Sequence, residues 1–338
     1  MEFLRSTYHE EINSEGDVVI VGSAFQRSRI LVELEPETYR ITFEEWLDKR
    51  KQDMLSRADG ILSLYDNANR FAALKQAYKG NGVVPFIGAG LSMPSGYPGW
   101  TSFLWDLQKE SHVLQDALDR HLNAGDYDKA AQLLHDDLGS ALFNKQLQEC
   151  FGRSSDALGT INLLPHVFPS ANIVTTNFDR LIESVYIERA QGFDTVVTGN
   201  VLGECLRLLT SGSRLLVKMH GTSEIVANRV LLQSEYDVAY ADLGIVKRFF
   251  TKFLFAKSML FLGCSLVIDR TMRTMEEVVG AEGAESLPHH YAFLELKESD
   301  DRVARKKLLA KANIFPIWYP DSEHDESIEA LLMALLED

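Results

Sequence analysis

Four short segments place polar or backbone-exposing residues where apolar runs end. The first is Gly88-Ala89-Gly90-Leu91-Ser92, directly after Val83-Val84-Pro85-Phe86-Ile87. Glycine has no Cβ, so backbone N–H groups can come close to a pyrophosphate. A helix beginning there would add a partial positive charge. A buried strand that breaks into glycines and re-enters a helix is the expected arrangement, although many α/β proteins use such a turn for connection alone. The second segment, Asn172-Ile173-Val174-Thr175-Thr176-Asn177-Phe178-Asp179, brings an amide and a carboxylate to a strand end. That end faces the ligand crevice in open α/β sheets. Asn177 or Asp179 would equally serve as cap of a helix over 179–190. The third, Leu215-Leu216-Val217-Lys218-Met219-His220-Gly221, ends in the one histidine of nine that sits at an expected strand end before a glycine. Imidazole titrates near neutrality and suits general-base work, though a single histidine is often a satisfied structural residue. The fourth, Met259-Leu260-Phe261-Leu262-Gly263-Cys264-Ser265-Leu266, opens into small residues that suit a ribose or phosphate. Cys264 reads there as a packing residue.

These segments need a scaffold that gathers strand ends. From residue 83 onward short Val/Ile/Leu/Phe-rich runs alternate with helical stretches. Strands are expected over 83–87, 171–175, 214–219, 258–262, 290–295 and 314–318. The alternation predicts an α/β fold: a doubly wound, Rossmann-like parallel sheet. Residues 101–168 exceed one crossover helix and carry helical spacing at Leu104, Leu107, Leu114 and Leu118, then Leu133, Leu134 and Leu138. They read as a helical insertion walling the site. Residues 1–78 read as a small appended α+β module for oligomer or partner contact, and 79–338 as the main domain. In the module, Asp17–Val21, Arg29–Leu34 and Tyr39–Phe43 look like strands, with Glu35-Pro36-Glu37 as a turn and 44–79 helical.

The 338 residues are 46% hydrophobic and 25% charged, an ordinary globular composition. Net charge is −15, which argues against direct nucleic-acid binding. Cys150, Cys205 and Cys264 form no C-x-x-C pair and cannot supply a four-cysteine zinc site, so no metal is expected. They suggest a reducing, cytoplasmic setting. The opening MEFLRSTYHEEINSEGD has neither a basic start nor an apolar core, so no signal peptide is expected, and no apolar run reaches membrane-spanning length.

Taken in order, GAGLS, TTNFD, MHG and LGCSL resemble the motifs of sirtuin-like proteins over roughly residues 83–320. The resemblance implies that Gly88, Ala89, Gly90 and Ser92 hold a pyrophosphate and that Thr176, Asn177 and Asp179 form the nicotinamide and ribose motif. It implies that His220 is the catalytic histidine and that Gly263 and Ser265 contact the adenosine-side ribose. Asp269 and the strand Ile314-Phe315-Pro316-Ile317-Trp318 would line the adenine end. Trp100 either covers the nicotinamide pocket or belongs to the core. Departures matter as much. Zinc-module cysteines are absent, Pro98-Gly99-Trp100-Thr101 lacks the Asp and Arg of deacylating members, and Thr176 stands where those usually carry Gln. With Gly96-Tyr97-Pro98-Gly99-Trp100, these features look like the bacterial branch of sirtuin-like domains that degrade NAD in antiphage defence.

That resemblance implies a glycohydrolase releasing nicotinamide and ADP-ribose, with NAD as substrate and no zinc. Asn177 would hold ribose hydroxyls and the attacking water, His220 would act as base, and Asp179 would engage the carboxamide. ADP-ribosyl transfer, deacylation, or non-catalytic NAD binding within a defence complex are the alternatives. An ungated NADase would kill its host. With no second sensor domain legible, the gate is expected from homo-oligomerisation or a partner. The resemblance extends to effectors paired with a HerA-type ATPase, while others pair with prokaryotic Argonaute or use a cyclic-nucleotide sensor.

Overall fold

Seven strands form the centre of the molecule. A computed structural model describes residues 4–241, 244–266 and 270–337. An antiparallel hairpin, β1 (Val18–Ile20) and β2 (Ser23–Phe25), precedes the main sheet. That sheet contains β3 (Val83–Ile87), β4 (Ile173–Thr175), β5 (Thr195–Thr198), β6 (Leu215–Lys218), β7 (Ser258–Leu262), β8 (His290–Leu296) and β9 (Ile314–Pro320). Its order is β5-β6-β4-β3-β7-β8-β9, and every pairing is parallel. The chain leaves β3 in one direction through β4, then returns to β7 on the other side. The sheet is therefore doubly wound, with its switch point between β3 and β7.

The apolar runs are explained by burial on both faces. Side-chain alternation divides each strand between two cores. Ile87, Ile173, Leu216, Leu260 and Phe293 join one, and Phe86, Val174, Val217, Phe261 and Leu294 the other. All six strands expected from residue 83 onward are present. The strand missing from the expectation is β5, a Thr-Val-Val-Thr segment with mixed burial at the sheet margin. The insertion is helical: Trp100–Gln108, Gln115–Asn123, Tyr127–Leu138 and Ser140–Phe151, broken at Gly125 and Gly139, both at positive φ.

Two expected strands are helices. Arg29–Leu34 lies in the helix Arg27–Leu34, and Tyr39–Phe43 lies in the long helix Pro36–Leu62. Their alternating β-branched residues obscure a stronger helical spacing. Tyr39 and Phe43, four apart, stack at 5.9 Å, and Arg40 pairs with Glu37 and Glu44 at 2.6 and 3.0 Å. The supposed turn at Glu35-Pro36-Glu37 is the start of that helix, with Pro36 in its first turn.

Tyr8, Tyr39 and Phe43 form a small separate cluster. The same long helix then sends Met54, Ala58 and Ile61 into the main core, where Phe71 and Leu74 follow. Asn67, fully buried, donates from Nδ2 to the carbonyls of Ile61 and Trp318, each at 2.8 Å, and its Oδ1 accepts the Trp318 amide at 3.0 Å. Arg70 donates to the Pro316 carbonyl.

Candidate active site

The loops following β3, β4, β6 and β7 open at one end of the sheet, around a cavity of about 1120 Å³. Gly88, Ala89, Gly90, Ser92, Trp100, Thr176, Asn177, Asp179, His220, Gly263 and Ser265 all line it. Asp269 lies outside the described residues. The strand 314–318 does not line the cavity. Trp318 is fully buried in the core, and the next residue, Tyr319, reaches the cavity instead.

Glycines are required here for close approach between loops. A Cβ on Gly90 would sit 2.9 Å from the Gly263 carbonyl oxygen and 2.8 Å from His324 Nε2. The Gly88 amide donates to Leu262 at 2.8 Å and the Gly90 amide to Gly263 at 2.9 Å. Leu91 and Ser92 amides donate back to Gly88 and Ala89 at 3.3 and 2.9 Å. The expected direct re-entry into a helix is absent. Short 3-10 turns, Ala89–Leu91 and Met93–Ser95, precede the helix beginning at Trp100. The loop supplies a tightly knit floor, with four amides already committed within the protein.

Asn177 is buried and fixed from both sides. Its amide N–H donates to Thr175 Oγ1 at 3.0 Å, and Thr175 Oγ1 donates to the Ile87 carbonyl at 2.8 Å. Its side-chain Nδ2 donates to Gly88 O and to Ser92 Oγ, each at 3.1 Å. Both Nδ2 hydrogens are thereby used, leaving Oδ1 as the group to offer a ligand. Asp179 lines the cavity and also holds the chain just before a helix whose N-cap is Arg180. Its Oδ1 accepts the Leu181 amide at 3.1 Å at the start of Leu181–Glu188.

His220 is partly exposed to the cavity and otherwise enclosed by rings. Tyr236 packs against it at 5.3 Å, and the Tyr236 and Tyr240 hydroxyls both lie 3.1 Å from Nε2. Burial lowers its pKa to about 4, so the imidazole is neutral at neutral pH. Trp100 stacks on Phe103 at 5.3 Å and lies near Phe151 and Phe178 at 6.1 and 5.7 Å. It is both a cavity wall and part of an aromatic cluster.

Several contributors are not at strand ends and escaped the sequence reading. Tyr236 and Tyr240 lie on or next to the helix Gln233–Ala239. Arg270 lines the cavity and pairs with Asp128 of the insertion and Asp237, each at 2.7 Å. His324 Nδ1 lies 2.6 Å from Tyr319 OH, and its buried Nε2 has no partner among the described residues. Lys218 was visible as a lysine in an apolar strand, a signal that burial needed a partner. Among the described residues, no group of three or more His, Cys, Asp or Glu could hold a metal ion, and no helix is long and apolar enough to cross a membrane.

Comparison with known proteins bears on this arrangement. Residues 171–317 match the model of the SIR2-like domain. A protein of Enterococcus faecium named NAD(+) hydrolase ThsA is 27% identical over 218 residues, covering 63% of this chain and 43% of the relative. Proteins of the same name from Cytobacillus dafuensis and Bacillus cereus (strain MSX-D12) are 24% and 26% identical, covering 65% and 56% of this chain. The chain spans less than half the length of these relatives, 42% and 38% for the last two. The matched stretch, residues 171–317, carries Asn177, His220 and the Gly263 loop, and over it this chain is similar to a SIR2-like domain.

Proposed function

We propose that the protein is an NAD glycohydrolase that cleaves NAD to nicotinamide and ADP-ribose. The observation that carries this reading is the pairing of a neutral, ring-enclosed His220 with an Asn177 clamped to the glycine loop, both facing one cavity at the sheet's switch point. The name shared by the relatives, NAD(+) hydrolase, supports it.

In the proposed reaction the bond between the ribose anomeric carbon and the nicotinamide nitrogen breaks. Its electron pair stays with the ring, so a cationic pyridinium leaves as neutral nicotinamide. The ribose develops oxocarbenium character, as in other glycosyl cleavages. Water adds at the anomeric carbon and gives its proton to a base, the role assigned to His220. Asn177 Oδ1 would orient ribose hydroxyls or that water. Asp179 would engage the carboxamide through the carboxylate oxygen opposite the one that accepts the Leu181 amide. The Gly88–Ser92 and Gly263–Ser265 loops would enclose the pyrophosphate and second ribose, with Thr176 and Trp100 closing the nicotinamide end. The work of the protein is then mostly orientation and exclusion of other water.

Such an activity would serve antiphage defence by depleting NAD, in the cytoplasm, and would have to be gated by self-assembly or by a partner such as a HerA-type ATPase. The test is incubation of the purified protein with NAD, alone and with the product of its genomic neighbour, following nicotinamide and ADP-ribose by chromatography. His220→Ala and Asn177→Ala should fold and release none. Release at the parental rate by either folded variant would remove this site.

A further inference from the structure

Lys218 is 1% exposed at the end of β6, among Leu215, Leu216, Val217 and Met219, all fully buried. An ammonium buried this deeply costs free energy unless each of its three hydrogens finds an acceptor. It finds three. Nζ donates to the Asp179 carbonyl, to the Phe178 carbonyl at 3.5 Å, and to Glu183 Oε1 at 3.1 Å. Glu183 lies in the first turn of Leu181–Glu188, and its side chain is 18% exposed. Lys218 does not line the cavity.

Stability alone is a weak reason for this arrangement. Replacing a buried ion pair by apolar residues of similar volume is often neutral or stabilising. The lysine does something that an apolar residue cannot. It binds, from behind, the two carbonyls at Phe178 and Asp179 immediately after Asn177, and it closes β6 two residues before His220, which lies in the turn that follows. β4 and β6 are neighbours in the sheet. One ammonium therefore ties the loop of the amide to the end of the strand that leads into the imidazole.

We propose that Lys218 is a positioning residue that fixes the Asn177–Asp179 backbone relative to His220. The inference rests on the NAD-cleaving reading for its consequence in catalysis, and on the hydrogen bonds for the tether itself. It touches no substrate. Its removal should leave substrate affinity largely in place and misplace the reacting groups, an error that costs on the order of 10²-fold in rate for about 1 Å.

Two variants test this. Lys218→Met alone leaves Glu183 an uncompensated charge, so it should melt lower. Lys218→Met combined with Glu183→Leu removes both charges and should recover most of the stability. For the folded double variant we expect kcat to fall about 100-fold with KM within about threefold. Hydrogen exchange at the amides of residues 177–181 should accelerate while β3 and β7 remain protected. A double variant that cleaves NAD at the parental rate, or keeps parental protection over 177–181, would overturn the tether. Failure of the unmodified protein to cleave NAD would instead overturn the functional reading, and the exchange measurement would still decide the tether.

Discussion

Asn177 Nδ2 donates to Ser92 Oγ at 3.1 Å, so the amide proposed to hold the ribose is itself held by the loop proposed to enclose the phosphates. The loops after β3 and β4 thereby form one unit. Ser92, 1% exposed, contributes as an acceptor for Asn177 in the cavity wall. Ser92→Ala should leave the fold intact, because Nδ2 retains the Gly88 carbonyl. Losing one of two partners at a buried amide costs about 1–3 kcal/mol. Nicotinamide release should fall at least tenfold, and a parental rate would separate Ser92 from the site.

A methyl group at Gly90 has nowhere to go. It would meet the Gly263 carbonyl and Cα at 2.9 Å, main-chain atoms that cannot swing aside, as well as His324 Nε2 at 2.8 Å. Gly90→Ala should push the two loops apart and cost about 1–3 kcal/mol in stability, the usual range for overpacking. Calorimetry should show weaker NAD binding along with the lower melting temperature. Unchanged binding would show that loop contact does not shape the cavity.

Acid should destabilise the fold through His290. This residue is fully buried in β8, its Nδ1 accepts the Met259 amide at 3.1 Å, and burial lowers its pKa to about 3. Unfolded, it would take up a proton near pH 6.5. Between these two values the unfolded state binds one more proton than the native state, so stability falls as pH falls. The slope is about 1.4 kcal/mol per pH unit for one such group. His220, lowered to about 4, acts in the same direction. Melting measured from pH 7 to pH 4.5 should show a shallower decline for His290→Gln than for the parent. Parallel curves would contradict a buried neutral His290.

The pH dependence of cleavage reads His220 separately. A base must be unprotonated, so activity should persist as pH drops through 6 and decline only toward the pKa of about 4. Tyr236→Phe removes one hydroxyl within 3.1 Å of Nε2 and should shift that acid limb while the protein stays folded. An acid limb centred near pH 6.5 in the parent would mean that the imidazole is not shielded as described.

Arg270 pairs with Asp128 on the insertion and with Asp237 on the helix Gln233–Ala239, each at 2.7 Å. Asp128 is almost fully buried, so Arg270→Ala leaves a carboxylate without its partner. The helix Tyr127–Leu138 should loosen, with faster hydrogen exchange there and a higher KM for NAD. Equal exchange in variant and parent would show that the insertion is held by its apolar contacts alone.

How much of this was legible in the sequence depends on the range of the forces involved. β3, β6 and β7 are buried on both faces, so their residue types announce them, and the polar groups that follow mark the site. Thr195–Thr198 escaped because a short, half-exposed strand needs little apolar character. Arg29–Leu34 and Tyr39–Phe43 misled because β-branched residues and aromatics also fit a helix whose partners are four residues apart. Tyr236, Arg270 and Lys218 act through residues distant in the chain, Glu183 and Asp128 among them. No local pattern encodes such pairings. The commitment of the Gly88 and Gly90 amides to Leu262 and Gly263 is of the same kind, set by contact between two strand ends.

The hydrogen bonds of Asn67 with Trp318, and of Arg70 with Pro316, also determine what the sheet can do to other chains. An outermost strand normally offers unpaired amides and carbonyls to any passing strand. On β9 that offer is withdrawn: two side chains from 67–70 imitate a neighbouring strand's rungs and stop there. The N-terminal helices thus act as a terminator for the sheet. Their loss would leave a sticky margin that invites aggregation, while growth by added strands has only the β5 side, with its exposed Val196, left to use.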